Sequence, residues 1–244
     1  MLFNSFRFLW LFPIIFFGYY IVCYSSKRKS NLSRLGNYTL LLISYALYCC
    51  YKPEYALILL WVTVVTYFGA LVITKHNAFN KKKYIVSIFS IAALIPLLVF
   101  KYYNFIALSI CNILNILSIT FEMGHGNWSI PLGISFFSFQ ALGYLLDVYH
   151  QRINAERNWW DYMLFVSFFP QITSGPISRA EELLPQIKAD RLFKYEDAVQ
   201  GLKWLLWGVF MKTVIADRLG LYVDTVYGNY NHYSGITCLV ASIL

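Results

Sequence analysis

The sequence predicts an all-α protein, a polytopic bundle of transmembrane helices, and three observations carry that expectation. Of 244 residues, 59% are hydrophobic, 19% aromatic and only 13% charged, which leaves too little polar side chain to cover a soluble fold. Apolar runs long enough to cross a hydrocarbon core recur along the chain, each ended by charge, proline or glycine. Basic residues outnumber acidic ones, 20 against 12, and two short clusters between apolar runs hold most of the surplus. That placement reports membrane orientation, and no basic-aromatic platform for nucleic acid accompanies it. The chain reads as a single membrane domain over 1–244.

The first run, 8–24, lies between Arg7 and Lys27-Arg28-Lys29, and no small-residue cleavage site follows it, so it is expected to remain as an anchor. Runs 35–51 and 55–73 form a helical hairpin about Lys52-Pro53-Glu54. Lys27, Arg28, Lys29 and Arg34 mark one loop, and Lys75, Lys81, Lys82 and Lys83 mark the next loop but one, so both fall on the same face. The positive-inside rule makes that face cytoplasmic and puts the N-terminus outside. Run 84–100 crosses back with Pro96 as a kink, and Lys101-Tyr102-Tyr103 reads as an interfacial anchor. Run 105–121 is weaker: Asn112 and Asn115 share a helical face, so it either packs that face on protein or lies shallow. Gly124 and Gly126 mark a loop over 122–127. The span 130–149 opens on Pro131 and carries Gln140 and Asp147; with His150 and Arg152 just beyond, Asp147 is expected to be paired or solvated.

The next segment, 160–174, is broken. It starts at headgroup level with Trp159-Trp160, loses a backbone donor at Pro170 and is stopped by Gly175-Pro176. In lipid the freed backbone groups need protein or cavity water as partners. Two readings are equally open: a cavity lined by Gln171, Thr173 and Ser174, or a helix ending at the interface. Residues 178–194 form a polar loop with a short surface helix. In 198–216, the stripe of Ala198, Leu202, Leu205, Leu206, Val209, Phe210, Thr213 and Val214 leaves Lys203 and Lys212 to one side. Both spanning and in-plane placements fit it. Run 235–244 is too short to span, and the chain is expected to stop inside a helix.

Side chains with obvious chemistry are few. His76, His125, His150 and His232 all fall in loops or at span ends, with no H-E-x-x-H, G-x-S-x-G or glycine-rich phosphate loop around them. The five cysteines lie in apolar runs without a C-x-x-C pair, so neither a disulfide framework nor a metal site is expected. On residues alone, a transporter is as reasonable as an enzyme.

Several ordered stretches nevertheless resemble the membrane-bound O-acyltransferase family, in its alginate O-acetyltransferase-like bacterial branch. They are Met1-Leu2-Phe3-Asn4-Ser5, Phe100-Lys101-Tyr102-Tyr103-Asn104-Phe105, Ile130-Pro131-Leu132-Gly133-Ile134 through Gln140, and Tyr144-Leu145-Leu146-Asp147. The most specific is Ser167-Phe168-Phe169-Pro170-Gln171 to Gly175-Pro176-Ile177, with Arg179 and Leu184-Pro185-Gln186 behind it; Gly208 to Arg218 follows. The resemblance implies helices around a funnel and a buried tunnel, moving an acetyl group to a hydroxyl of a cell-envelope polysaccharide such as alginate. No bound cofactor is implied; acetyl-coenzyme A is the expected donor and co-substrate. Implied partners are membrane lipid, the glycan acceptor and an extracytoplasmic acyl-transfer protein, in the cell membrane, with D-alanine transfer to teichoic acids in a related branch.

The family's membrane-embedded histidine belongs to a Trp-His-Gly motif expected further along than residue 244. No catalytic residue therefore carries over, and the chain is expected to be an N-terminal half, inactive by itself. Pro170, Gln171, Gly175, Pro176 and Arg179 carry over as cavity or motif positions, with Gln140 and Asp147 as supporting positions. The alternatives are a polysaccharide transporter or export partner without acyl transfer, and a non-catalytic partner of a full-length acyltransferase.

Overall fold

The computed structural model describes residues 6–26, 35–76, 79–116, 129–172, 175–189 and 193–243, and all regular structure among them is helical. The chain divides into two compact units, one made of Met1–Ser25 with Arg191–Leu244 and the other of Ser26–Asp190.

The smaller unit starts with α1 (Phe6–Ser26). The larger contains α2 (Leu35–Cys49), α3 (Pro53–Lys75), α4 (Phe79–Leu97), α5 (Tyr103–Ile116), α6 (Ile134–Tyr149), α7 (Trp159–Ser167), the single turn α8 (Phe169–Ile172) and α9 (Ala180–Lys188). The smaller unit resumes with α10 (Tyr195–Phe210), α11 (Asp217–Gly228) and α12 (Gly235–Ile243). Among the described residues, α3 and a 34-residue stretch from Lys81 to Leu114 are long and apolar enough to cross a membrane. The stretches Trp10–Cys23 and Leu35–Cys49 are shorter apolar helices. The fold is an all-α membrane bundle.

Helix α3 is the axis of the larger unit, packing against α2, α4, α6 and α7. Pro53 sits in its first turn, where a missing N–H leaves nothing unpaired, with Glu54 in the first turn and Lys75 in the last to suit the helix dipole. Leu59, Val62, Ala70 and Ile73 are buried on it. The buried hydroxyls of Thr63 and Thr66 donate back along the helix to Leu59 and Val62 carbonyls, both at 2.7 Å, so neither costs the core an unpaired group. Gly69 is there for approach: a Cβ at that position would lie 2.8 Å from Cγ of Phe89 on α4.

Two stretches expected as separate spans, 84–100 and 105–121, differ in the structure. A π-helical turn over Leu98–Tyr102 joins α4 to α5, so the helix runs on past Lys101. Pro96 cannot donate to Ala92, and the Trp61 indole N–H of α3 donates to that carbonyl instead, at 3.1 Å. The π turn absorbs the lost bond without stopping the helix. Asn112 is exposed, while residues 117–121 and the side chain of Asn115 lie outside the described residues. The segment expected at 198–216 is likewise longer. Here a π turn over Met211–Ala216 joins α10 to α11, and Lys212 pairs with Asp217 across it at 2.7 Å.

Within the smaller unit, the α1 rings of Phe16 and Tyr20 stand edge-on to Phe193, with centroids 6.4 and 5.3 Å apart. Helices α11 and α12 pack together through buried Val226 and Ala241, and the Tyr227 hydroxyl meets Ser242. The stripe expected on 198–216 is exposed or half-buried.

Replacing Gly69 by valine should push Phe89 off α3 and cost about 1–3 kcal/mol, read as a lower thermal unfolding midpoint in detergent. Gly143→Ala on α6, where an added Cβ meets nothing within 4 Å, should leave the midpoint unchanged or raise it. Equal midpoints for Gly69→Val and the parent chain would refute the close-approach account.

Candidate functional site: a helix break closed by its neighbours

Helix α7 begins on Asn158, whose side chain accepts from the Trp160 N–H at 3.1 Å. It ends at Ser167, because Phe168 leaves helical geometry with ψ of 105° and Pro170 has no N–H to continue the ladder. In an unbroken helix the Phe165 carbonyl would accept from the Phe169 N–H. Both groups find other partners. Gln140 Nε2 of α6 donates to the Phe165 carbonyl at 2.9 Å, and the Phe169 N–H donates to Ser44 Oγ of α2 at 3.3 Å. Beyond the break, Gln171 and Ile172 N–H groups donate to the Phe168 carbonyl at 3.0 and 3.1 Å and close α8. Ser167, Phe169 and Ile172 are buried, so the interruption lies among packed helices.

The structure brings together Pro170, Gln171 and Gln140, three of the positions singled out in the sequence. Pro170 and Gln171 are half-buried, and Gln140 is buried. Oε1 of Gln171 is sealed from solvent and has no hydrogen-bond partner among the described residues, as has Ser138 Oγ on α6. The other positions lie apart. Gly175 and Pro176 are exposed, and Gly175 has φ of +142°, a conformation open to glycine. Arg179 is exposed and stands at the N-cap position of α9 without a side-chain capping bond. Asp147 sits two turns beyond Gln140 on α6 and pairs with Arg152 at 3.4 Å; Arg152 is 61% exposed, so the pair is a weak rim contact. The His150 ring stays on its own helix, Nδ1 2.8 Å from the Leu146 carbonyl. Thr173 and Ser174 lie outside the described residues.

A second polar group went unsuspected in the sequence. Glu156 and Asp161 are buried carboxylates. Glu156 pairs with Lys188 of α9 and accepts from the Asn158 N–H at 3.0 Å. Asp161 accepts from Asn158 Nδ2 at 2.7 Å and from Asn37 Nδ2 of α2 at 3.3 Å, and Asn37 also donates to the Ile187 carbonyl at 2.8 Å. The Glu156 N–H donates to the Tyr144 hydroxyl at 2.8 Å, and the Tyr67 hydroxyl donates to the Arg157 carbonyl at 2.7 Å. This network holds the α6–α7 connection against α2, α3 and α9. Its carboxylates, amide side chains and hydroxyls are bonded to one another or to backbone, so it acts as a brace. The available signal was local: Asn158 and Asp161 one helical turn apart at a helix start.

Among proteins of known role, a probable alginate O-acetylase of Pseudomonas aeruginosa is 30% identical over 237 residues, covering 96% of this chain and 44% of that protein. The peptidoglycan O-acetyltransferase of Helicobacter pylori is 30% identical over 272 residues, covering 100% of this chain and 50% of that protein. A teichoic acid D-alanyltransferase of Lacticaseibacillus rhamnosus is 32% identical over 123 residues, 49% of this chain and 30% of the relative. The chain thus spans about half the length of the acetylating relatives it matches. No family model matches it, and no solved structure matches it.

Replacing Gln140 by leucine should leave the Phe165 carbonyl buried without a partner and cost about 1–3 kcal/mol. Thermal unfolding in detergent measures it, with Ser44→Ala expected to lower the midpoint less, since its bond is longer. A Gln140→Leu midpoint equal to the parent's would mean the carbonyl is paired in another way.

Proposed function

The chain is a relative of the membrane-bound O-acyltransferases, in their alginate O-acetyltransferase-like branch, and we propose that it forms part of an enzyme transferring acetyl groups to hydroxyls of a cell-envelope polysaccharide. The observation that carries the proposal is similarity along 96% or more of the chain to relatives named for O-acetylation of alginate and peptidoglycan. The enclosed break at Pro170, within the most specific stretch of resemblance, supports it.

In the proposed reaction the acceptor hydroxyl oxygen attacks the acetyl carbonyl carbon of acetyl-coenzyme A. A C–O bond forms, the C–S bond breaks, and a general base carries the hydroxyl proton to the departing thiolate. None of His76, His125, His150 and His232 stands in a Trp-His-Gly motif, and no residue of these 244 is assigned as that base. In this reading the larger unit helps build the chamber wall.

The starts of α2 and α7 and the ends of α3, α6 and α9 share one end of the larger unit, as the Asn37–Asp161, Asn37–Ile187 and Tyr67–Arg157 bonds require. That end carries Lys75, Arg152, Arg157 and Lys188, and the α4 start brings Lys81, Lys82 and Lys83, whereas Lys52 and Lys101 stand at the opposite end. Such asymmetry supports a multi-pass protein whose lysine-rich end is cytoplasmic and whose N-terminus is outside.

Deleting the reading frame in its host should lower alkali-labile acetate on the envelope polysaccharide, and an unchanged acetate content would overturn the proposal. For orientation, an impermeant maleimide on intact cells should label Lys52→Cys in a cysteine-free background and miss Lys83→Cys until the membrane is permeabilised. The reverse pattern would invert the topology.

A further inference from the structure

Helices α4 and α6 pack together antiparallel, so the end of the α4 rod meets the start of α6. There Lys101 Nζ donates to Ser135 Oγ at 3.3 Å and lies 5.5 Å from the centroid of the neighbouring Tyr102 ring. Lys101 is exposed, and among the described residues no carboxylate lies at ion-pair distance from it. A lysine held by a neutral hydroxyl is positioned without being neutralised, so its charge remains for a ligand. The Ser135 hydroxyl accepts from Lys101 and keeps its own O–H to donate.

Helical spacing carries both faces away from that cation. On α4, Leu98 and Ile91 lie three and ten residues before Lys101, and on α6, Phe139 and Leu146 lie four and eleven residues after Ser135. Although their helices pack together, these four side chains keep between 38% and 61% of their surface open, so they rim a furrow between α4 and α6. Gly143, one turn below Phe139, deepens it: a Cβ at that position meets nothing within 4 Å.

Depth in the membrane decides what the furrow meets. Lys83 and Lys101 stand 18 residues apart on one continuous helix, the difference of the two positions. At about 1.5 Å per residue that is about 27 Å, close to the roughly 30 Å of a bilayer's hydrocarbon. Lys101 therefore sits at the level of lipid phosphates, and the furrow below it runs into the acyl layer.

We propose that Lys101, Ser135 and this furrow hold one anionic phospholipid, with a phosphate oxygen on the Lys101 ammonium and the Ser135 hydroxyl and one acyl chain lying past Leu98, Phe139 and Gly143. A free anion would use the cation and leave the furrow empty, whereas a lipid uses both. A zwitterionic headgroup brings its own ammonium to the phosphate, so a lipid of net negative charge gains more from Lys101. The site stands whether or not the chain serves acetyl transfer.

The test is native mass spectrometry of the 244-residue chain in detergent, titrated with phosphatidylglycerol, with phosphatidylcholine of the same chains, and with soluble glycerol phosphate as competitor. One phosphatidylglycerol should be retained in preference to phosphatidylcholine, and glycerol phosphate should not displace it. Lys101→Gln should weaken retention about fivefold, Lys101→Arg should largely keep it, and Lys52→Gln, at the other exposed lysine of this end, should leave it unchanged. Gly143→Leu fills the furrow without touching the charge, and should weaken retention while the thermal unfolding midpoint falls no lower than the parent's. Equal retention of the two lipids by the parent, or of phosphatidylglycerol by the parent and Lys101→Gln, would overturn the proposal. Displacement by glycerol phosphate would reduce the site to one for a bare phosphate, and full retention by Gly143→Leu would take the acyl chain out of the furrow; either result overturns it too. If Lys101→Gln does not fold, the comparison of the two lipids on the parent chain together with Gly143→Leu decides the matter.

Discussion

Hydrocarbon offers backbone groups nothing to bond to, and the larger unit is organised around meeting that constraint. At two of the prolines that interrupt a helix inside it, Pro96 and Pro170, a neighbouring helix sends a polar side chain to the gap. Trp61 of α3 takes the Ala92 carbonyl that Pro96 leaves free. Gln140 of α6 and Ser44 of α2 take the carbonyl and the N–H left at the Pro170 break. Each repair is also a tie between helices, so the places where the ladder fails are the places where the packing is most firmly specified. Apolar contact alone discriminates poorly here, because lipid tails are as apolar as the helices.

The two ends of the larger unit use polarity differently. At the lysine-rich end, Glu156 and Asp161 are buried in a closed set of bonds to Lys188, Asn158 and Asn37, and removing one partner strands a charge. At the other end Lys52 and Lys101 rest on hydroxyls and keep their charge. The first arrangement holds elements in place, and the second leaves an open valence toward whatever lies outside. Between them, the buried threonines of α3 bond to their own helix, and Thr66 adds a contact with the Tyr162 hydroxyl at 2.6 Å.

Much of this was legible in the sequence where the cause is local. The α2 and α3 runs end where Lys52-Pro53-Glu54 and the lysines after Ile73 stop them, and the break at Pro170 follows from a missing N–H that any reader of the chain can see. What closes the break was not legible: Gln140 is 25 residues from Phe165, and nothing near either residue announces the bond. That the helix continues past Lys101 was hidden for a related reason. A lysine near the end of a span usually marks the interface, yet a π turn lets the helix continue and Ser135 receives the ammonium. The brace at Glu156 was not legible either, because a buried loop and a solvated one have the same composition until Asn37 and Lys188 arrive to cover it.

The edge-on contact of Phe16 and Tyr20 with Phe193 also sets a timetable. Tyr20 leaves the ribosome 173 residues before its partner, the difference of the two positions, and at roughly 5–20 residues per second that is an interval of about 9–35 s. Throughout it the α1 rings lack Phe193, while the whole of Ser26–Asp190 is made. The smaller unit is therefore the last to assemble although it holds the first helix made, and anything that shields a lone aromatic helix during synthesis would act on α1 before any other part of the protein.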